Sequence, residues 1–363
     1  IYINFKKNYY SIKLKIKDYI MNYNSIKFLN HNIGKNEPVF IIAEIGATHD
    51  GDLNQALSLI EIAKKSGAQA VKLQTVTPDY SYCSGTLSHD VFQELSLNIE
   101  EMQKMKKVAE DLGLIIFSTP GDFPSLEMVQ KLDFPIMKIS SGLMTNKPLV
   151  EAVAKTKKPL IISSGMAYLD EIARTVRFAK EAGAKQLAVL HCTSVYPCED
   201  KMVNLKAINT MEKSLNLPIG YSDHTADELA CGFAVMKGAV IIEKHLALSH
   251  ELAGPEKGTA CDPEQFLKMV TNVRRAEQML GSGIKAPNNE ENLGRKLHRR
   301  SLISVKSIAK GKIIEEGDIS IMRGTLEHIG ASPELYNDII GLRANRDIVK
   351  NEPIKIGMFS NIN

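Results

Sequence analysis

Two short segments of this chain carry side chains that could hold a metal ion. They are residues 222–224, Ser-Asp-His, and residues 243–245, Glu-Lys-His, and each lies at the end of a hydrophobic run typical of a buried β-strand. Residues two apart on a strand project from the same face, so the first and third residues of each segment share a face. If the two strands are neighbours, His224 and His245 converge beside a carboxylate. Two imidazoles with open coordination positions are typical of a catalytic divalent-metal site.

The rest of the chain contains the elements that would position this site. Stretches of helical period such as 53–66 and 99–112 alternate with hydrophobic runs, and Gly67, Gly113 and Gly183 follow helical stretches as left-handed caps. An eightfold alternation over about 250 residues predicts an α/β fold, a (β/α)8 TIM barrel, with its site at the carboxyl ends of the strands. The eight predicted strands are 39–45, 70–74, 114–119, 136–140, 160–164, 187–193, 219–222 and 240–246.

A doubly wound open sheet is the alternative architecture. Such a sheet usually has fewer strands and carries a glycine-rich phosphate loop after the first one. Residues 44–48, Glu-Ile-Gly-Ala-Thr, do not have the pattern of that loop. The sequence therefore favours the barrel.

Two lysines, Lys72 and Lys138, interrupt otherwise apolar strands. Burying an unpaired ammonium costs several kcal/mol, roughly, so lysines in such positions normally face an anion. Together with nearby hydroxyl groups they predict a small, densely charged ligand such as a phosphorylated carboxylate. The other polar residues at or just past the strand ends are Glu44, Gln74, Thr119, Ser141, Ser163, Ser194 and Tyr196.

Length and composition fit a soluble enzyme with more than one domain. The chain has 363 residues, and a barrel leaves about 80 of them for a second domain. Its five cysteines form no CxxC pair, which predicts free thiols in a reducing cytoplasm. No apolar run approaches the roughly 18 residues of a membrane span, so we expect no membrane partner.

Changes in composition divide the chain into four parts. Residues 1–30 are lysine-rich and are predicted to be a basic, disordered extension, whose first 20 residues are either such an extension or an upstream translated stretch. This part lacks arginine and any nucleic-acid-binding motif, so we expect no nucleic-acid partner. The barrel is assigned to residues 31–283 and a polar linker to residues 284–297. Residues 298–363 change to short strands and tight turns, which predict a small β-rich module of marginal stability on its own.

Eight motifs in chain order resemble those of the sialic acid synthases and the relatives that make other nine-carbon acidic sugars. The resemblance runs from about residue 39 to the end of the chain, and the last module resembles that family's antifreeze-like SAF domain, a β-clip. The motifs are 43–46 (Ala-Glu-Ile-Gly), 71–74 (Val-Lys-Leu-Gln), 117–120 (Phe-Ser-Thr-Pro), 138–142 (Lys-Ile-Ser-Ser-Gly), 162–166 (Ile-Ser-Ser-Gly-Met), 191–197 (His-Cys-Thr-Ser-Val-Tyr-Pro), 221–224 (Tyr-Ser-Asp-His) and 243–245 (Glu-Lys-His).

The resemblance implies a metal-dependent transferase that condenses phosphoenolpyruvate with an N-acyl mannosamine-type aldose and releases phosphate. It implies that His224 and His245 bind Mn²⁺ or Mg²⁺, which acts as a Lewis acid on the sugar aldehyde. Glu44 and Glu243 become the acid–base candidates, and the sequence does not divide the two roles between them. By position, the residues matching the phosphoenolpyruvate site are Lys72, Thr119, Lys138, Ser141, Ser163 and Ser222, and those matching the sugar site are Gln74, Ser194, Tyr196, Glu256 and Arg323.

The resemblance also implies a domain-swapped homodimer, in which Arg323 reaches into the barrel of the partner subunit and contacts the acyl group of the sugar. Departures from the family pattern fall mainly among the sugar residues. They are Leu143 in place of Glu, Glu256 in place of Asp, Ser194 and Thr48 in place of Asn, and Gly-Thr-Leu at 324–326 without the usual proline. The reaction type is therefore predicted more firmly than the acceptor.

Several alternatives stay open at this point. The acceptor is either N-acetylmannosamine or a 2,4-diacetamido-trideoxy sugar that leads to legionaminic or pseudaminic acid, and the apolar Leu143 favours the less hydroxylated one. Synthesis of a 3-deoxy sugar phosphate and a non-enzymatic ice- or carbohydrate-binding role are the rival functions. His49 is either a sugar-site residue or a turn cap, and Asp223 is expected to pack outward or to cap a helix.

Overall fold

The computed structural model describes residues 25–252, 254–256, 258–324 and 329–360. The chain divides into two compact units, with the division between Gly281 and Ser282. We call them the N-terminal unit and the C-terminal unit. The predicted basic extension lies outside the described residues as far as position 24.

The N-terminal unit consists of a short hairpin followed by alternating strands and helices, and the C-terminal unit adds one longer helix and four short strands. The strands are β1 Ile26–Phe28, β2 His31–Ile33, β3 Phe40–Glu44, β4 Ala70–Thr75, β5 Ile115–Pro120, β6 Met137–Ile139, β7 Leu160–Ser163, β8 Leu187–Cys192, β9 Ile219–Asp223, β10 Ile241–His245, β11 Arg300–Ser304, β12 Ile319–Arg323, β13 Arg343–Ala344 and β14 Phe359–Ser360. The helices are α1 Leu53–Ser66, α2 Pro78–Ser81, α3 Leu87–Leu95, α4 Ile99–Asp111, α5 Phe123–Lys131, α6 Lys147–Lys155, α7 Leu169–Ala182, α8 Lys206–Leu215, α9 Leu229–Met236, α10 Pro263–Leu280, α11 Asn289–His298 and α12 Tyr336–Ile339.

Strands β3 to β10 form a closed barrel in the order β10-β3-β4-β5-β6-β7-β8-β9. Every neighbouring pair is parallel, and the first strand of the barrel pairs with the last. This confirms the predicted TIM barrel and rules out the doubly wound sheet, because an open sheet does not close on itself. Strand bounds agree with the predicted runs to within one residue at either end.

The register of the barrel brings polar residues of neighbouring strands side by side. Glu44 of β3 lies opposite Lys72 of β4, and Ser222 of β9 lies opposite Glu243 of β10. Partners on parallel strands point to the same face, so these four side chains enter the barrel together.

Local signals in the sequence mark both the starts and the ends of helices. Asp52 caps the start of α1 by accepting a hydrogen bond from the backbone N–H of Asn54 at 2.6 Å. Gly67, Gly113 and Gly183 have φ values of 91°, 68° and 119°, so the predicted left-handed caps are confirmed.

Two predicted boundaries differ from the structure. Residues 26–28 were assigned to the extension, but they form β1, whose Phe28 ring packs edge-on against Phe40 at 5.3 Å, since alternate residues of this strand are apolar and buried. Part of the predicted linker forms α11. Asn288 and Glu291 cap its first turn reciprocally, which gives this polar segment a helix start that composition alone did not show.

The C-terminal unit has its own small core. Strands β11 and β12 pair antiparallel, as do β13 and β14, around buried residues such as Leu302 and Ile319. The buried carboxylate of Asp318 accepts from Lys312 Nζ at 2.6 Å and pairs with Lys306 Nζ at 2.8 Å. The prediction of a β-rich second domain is confirmed. None of the helices in the described residues combines the length and the apolar character needed to cross a membrane.

Candidate active site

Two lysines and two glutamates meet inside the barrel near the carboxyl ends of its strands. Lys72 Nζ lies 2.6 Å from Glu44 Oε2 and 3.4 Å from Glu243 Oε1, and Lys138 Nζ lies 3.9 Å from that same oxygen of Glu243. None of the four side chains is more than 5% exposed. Buried charges of this kind are tolerated because each has a close partner of opposite sign.

The surroundings of these groups shift their proton affinities. Burial lowers the pKa of Lys138 to about 8, while the Glu243 carboxylate opposes that shift and the Lys72 ammonium adds to it. Burial disfavours the charged forms of Glu243 and Lys72 as well, but here the ion pairs prevail. The two ammonium groups lower the pKa of Glu243 to about 2, and the two carboxylates raise the pKa of Lys72.

Hydroxyl groups surround this charged cluster. Lys138 Nζ donates to Ser163 Oγ at 2.6 Å, and Ser222 Oγ donates to Glu243 Oε1 at 3.0 Å. Ser141 Oγ accepts from a backbone N–H at 3.0 Å. Thr119 Oγ1 and Glu243 Oε2 are buried, and neither has a hydrogen-bond partner within the described part of the chain. Buried polar atoms without a partner point to a ligand or water that completes them.

The two histidines approach each other as their strands predict. β9 and β10 are neighbours, and the ring centroids of His224 and His245 lie 5.3 Å apart. His224 Nδ1 lies 2.8 Å from the carbonyl oxygen of Thr193, which can only accept, so Nδ1 carries the proton. His245 Nδ1 lies 2.6 Å from Glu256 Oε2. In the neutral form of each ring, this contact of Nδ1 leaves Nε2 as the nitrogen that carries the lone pair.

This arrangement fits a divalent cation. Burial and the nearby His245 ring lower the pKa of His224 to about 4, so that ring is neutral and can bind metal at neutral pH. Burial opposes a charge on His245, but the Glu256 carboxylate raises its pKa, and a carboxylate behind a ligating histidine strengthens the ligand. No cluster of three or more His, Cys, Asp or Glu side chains among the described residues is arranged to hold a metal. Water and substrate oxygens would have to complete the coordination of a cation here.

The residues predicted for the sugar have different neighbours in the structure, and two of them contact the histidine pair. Gln74 Nε2 donates to Glu44 Oε1 at 3.1 Å, and the half-exposed Tyr196 ring lies 4.1 Å from the ring of His224. Ser194 is partly buried, and its hydroxyl lies 3.8 Å from Cys192 Sγ. Since Glu256 is bound to His245, it supports a ligand of the predicted cation whether or not it also contacts a sugar.

Arg323 belongs to the C-terminal unit, where it ends β12 and is exposed. Its predicted contact with a sugar stays a prediction. Of the segment predicted to distinguish its loop, Gly324 is described, whereas Thr325 and Leu326 lie outside the described residues.

A buried ion pair on the other side of β9 and β10 was missed by the sequence analysis. Asp223 and Lys244 face outward from the barrel, and Lys244 Nζ lies 2.9 Å from Asp223 Oδ2. The outward position of Asp223 was expected, but its partner was not identified. The available signal was the alternation itself, because the middle residue of each three-residue segment must share a face with the other.

The chain is similar over most of its length to several known proteins. The N,N′-diacetyllegionaminic acid synthase of Legionella pneumophila is 36% identical over 334 residues, which cover 87% of this chain and 93% of that protein. The pseudaminic acid synthase of Campylobacter jejuni is 33% identical over 346 residues, which cover 90% of this chain and 98% of that protein. The crystal structure of the N-acetylneuraminic acid synthetase from Leptospira borgpetersenii, in complex with citrate, aligns with a TM-score of 0.72 at 33% identity, covering 75% of this chain and 95% of that one.

Family profiles match both units. The profile of the NeuB family matches residues 59–285, and that of the SAF domain matches residues 299–360. The first match spans most of the barrel and the second nearly all of the β-rich module. This chain therefore belongs to the NeuB family and carries a C-terminal SAF domain.

Proposed function

We propose that the protein condenses phosphoenolpyruvate with an N-acyl mannosamine-type aldose to give a nine-carbon, sialic-acid-like sugar and phosphate. One observation carries this proposal: two buried ammonium groups lie in the same barrel mouth as a pair of histidines that both offer Nε2. A dense anion and a carbonyl substrate can therefore bind side by side. The relatives and the aligned structure bear names of enzymes that make sugars of this class, which supports the same reading.

We assign phosphoenolpyruvate to the part of the site that contains the two buried lysines. The ammonium groups of Lys72 and Lys138 would neutralise its phosphate and carboxylate. Thr119 supplies a buried hydroxyl that has no hydrogen-bond partner in the described residues. Three further hydroxyls would complete this binding site, and they belong to Ser141, Ser163 and Ser222.

The proposed reaction forms a carbon–carbon bond and a carbon–oxygen bond from water, and it breaks the carbon–oxygen bond to phosphate. C3 of phosphoenolpyruvate attacks C1 of the open-chain sugar, the sugar oxygen takes up a proton, and water adds to C2. The tetrahedral product at C2 then expels phosphate. Glu44 and Glu243 are the proposed acid–base groups. Each has one buried oxygen without a hydrogen-bond partner in the described chain, but that of Glu44 lies 2.6 Å from Lys72 Nζ. We therefore propose that Glu243 Oε2 accepts the proton from water.

His224 and His245 would hold the divalent cation, and Glu256 and the Thr193 carbonyl orient the two rings for it. The bound cation, Mn²⁺ or Mg²⁺, would polarise the sugar aldehyde as a Lewis acid. Because two of its ligands are imidazoles, we favour Mn²⁺ over Mg²⁺, which prefers oxygen ligands.

The acceptor is assigned to the side of Gln74, Ser194, Tyr196 and Glu256. A 2,4-diacetamido-trideoxy sugar is the second candidate. The apolar Leu143, two residues after Ser141, supports it, since a polar residue at this position would favour a hydroxylated sugar. The 36% and 33% identical relatives are named as synthases of N,N′-diacetyllegionaminic acid and of pseudaminic acid, the products to which such acceptors would lead. We further propose that the enzyme acts in the cytoplasm as a domain-swapped homodimer in which Arg323 contacts the acyl group in the barrel of the partner subunit.

Phosphate release tests this function. The full chain with Mn²⁺ and phosphoenolpyruvate is expected to release phosphate only when an N-acyl aldose is added, and a panel should include N-acetylmannosamine, a 2,4-diacetamido-trideoxy sugar and a phosphorylated aldose. Phosphoenolpyruvate labelled with ¹⁸O in the enol bridge should pass its label to phosphate, because the C–O bond breaks. Turnover of the phosphorylated aldose alone, or label left in the sugar, would contradict the proposal.

Two variants link the activity to the assigned residues. Lys138→Met should abolish turnover, whereas Lys107→Met, at an exposed helix lysine, should not change it. Arg323→Ala should raise the KM of the sugar while leaving Mn²⁺ affinity unchanged. If Arg323→Ala changes neither substrate constant, its assignment to the acceptor is wrong.

A further inference from the structure

A buried ion pair joins β9 and β10 on the face opposite to the site. Asp223 and Lys244 are direct register partners on these parallel strands, and Lys244 Nζ lies 2.9 Å from Asp223 Oδ2. Both side chains are 0% exposed. No step of the proposed reaction uses either residue, because neither points into the barrel.

The pair is enclosed by hydrogen bonds from several neighbouring groups. Asp223 Oδ1 accepts from the Tyr221 hydroxyl and from the backbone N–H of Thr225, both at 2.9 Å. Asp223 Oδ2 accepts from Thr225 Oγ1 at 3.0 Å, and Lys244 Nζ also donates to the carbonyl oxygen of Thr225. Cys231 of α9 covers the pair, with its sulfur 3.4 Å from Asp223 Oδ2. Each charge is thus held in a single position.

The location of this pair links it to the histidines. Asp223 immediately precedes His224, and Lys244 immediately precedes His245. The network also holds Thr225, the residue after His224, so the backbone on both sides of that imidazole is fixed. If β10 slid or tilted against β9, two buried charges would lose their partners, which is strongly unfavourable. The relative positions of the two rings are therefore tied to the Asp223–Lys244 distance.

We propose that Asp223 and Lys244 are positioning residues, which fix the spacing of the His224 and His245 imidazoles and so set the affinity of the chain for a divalent cation. The inference rests on the proposed function for the cation and concerns only how the chain arranges its two nitrogen ligands. Groups that orient metal ligands from outside the coordination shell typically change metal affinity 10–100-fold when removed.

The test uses the double variant Asp223→Asn/Lys244→Met of the full chain. It removes both charges with little change of shape, and such paired replacement often keeps stability, whereas removing one partner alone does not. Mn²⁺ binding is measured by titration calorimetry and by the EPR signal of free Mn²⁺, together with the Tm. Val153→Ala is the control, because it removes buried side-chain volume from α6, the helix that follows β6 in the chain, and leaves β9 and β10 unchanged in sequence.

We expect the double variant to bind Mn²⁺ about tenfold or more weakly than the wild type while its Tm stays close to that of the wild type. The control should lose Tm and keep its Mn²⁺ affinity. In phosphate-release assays, the Mn²⁺ concentration for half-maximal rate should rise more than the KM of phosphoenolpyruvate.

Three results would overturn the inference. Wild-type Mn²⁺ affinity in the double variant would show that the pair serves stability alone. Equal weakening of Mn²⁺ binding in the Val153→Ala control would show that any loosened barrel loses the cation. If the wild type itself binds no Mn²⁺, the cation site of the proposed function fails, and the positioning role fails with it.

Discussion

Removing the ammonium group of Lys72 is expected to destabilise the barrel strongly even without ligands. The change Lys72→Met keeps the length and most of the volume of the side chain. It leaves Glu44 Oε2 without the cation that lies 2.6 Å away in a position with no access to water. Glu243 is affected less, because it keeps Lys138 at 3.9 Å and Ser222 at 3.0 Å. The loss is therefore that of one buried pair rather than two.

The magnitude follows from that count. Removing one partner of a buried ion pair costs about 3–5 kcal/mol, because an uncompensated charge is left behind. For a unit of this size, one kcal/mol corresponds to a change in Tm of about 2–4 °C. The variant should thus melt roughly 6–20 °C below the wild type.

Thermal unfolding followed by circular dichroism measures this difference. The double variant Lys72→Met/Glu44→Gln should regain most of the lost Tm, since no charge is left unpaired, but it should remain inactive. Lys107→Met, which breaks a pair on the surface of α4, should shift the Tm by no more than about 2 °C. A Lys72→Met protein that melts within 2 °C of the wild type, or a double variant no more stable than the single one, would refute the reasoning.

Three other predictions concern pH and close packing. Burial lowers the pKa of Lys138 to about 8, and this lysine can bind phosphate only as a cation. The KM of phosphoenolpyruvate should therefore rise roughly tenfold between pH 7 and pH 9 in initial-rate assays. A KM that does not change with pH would contradict this prediction. Burial would raise the pKa of Asp318, but hydrogen bonds from two lysines lower it to about 2. Asp318→Asn should therefore cost the C-terminal unit about 1–2 kcal/mol in denaturant unfolding at pH 7, a difference that disappears as the pH falls from about 4 towards 2. A Cβ on Gly165 would lie 2.1 Å from Ser194 Oγ, so Gly165→Ala should raise the KM of the sugar, whereas Gly142→Ala, with nothing within 4 Å, should leave it unchanged.

The sequence alone predicted the architecture well, because the signals that define it are local. Hydrophobic runs of strand length, helical periodicity and glycines after helices each depend on a few neighbouring residues. The same period-two alternation placed Ser222 and His224 on one face, and Glu243 and His245 on another strand's equivalent face. The roles assigned to these residues came from the family resemblance and remain to be tested.

Local signals failed to predict two elements, the strand β1 before the barrel and the helix α11 in the predicted linker. The three residues of β1 are too few to give a periodic pattern. Their burial depends on tertiary contacts, such as that of Phe28 with Phe40. Helix α11 is mostly polar, so composition indicated a linker, although a reciprocal cap at Asn288 and Glu291 starts a helix.

Only the tertiary structure decided which charged groups pair with one another. Closure of the barrel pairs β10 with β3, so Glu243 and Glu44 compete for Lys72 although they lie far apart in the chain. The same packing selects Nε2 of both histidines as the available nitrogen and joins Asp223 to Lys244. Periodicity fixes the face to which a side chain points, whereas strand order and register fix its neighbours, and these depend on how the whole barrel closes.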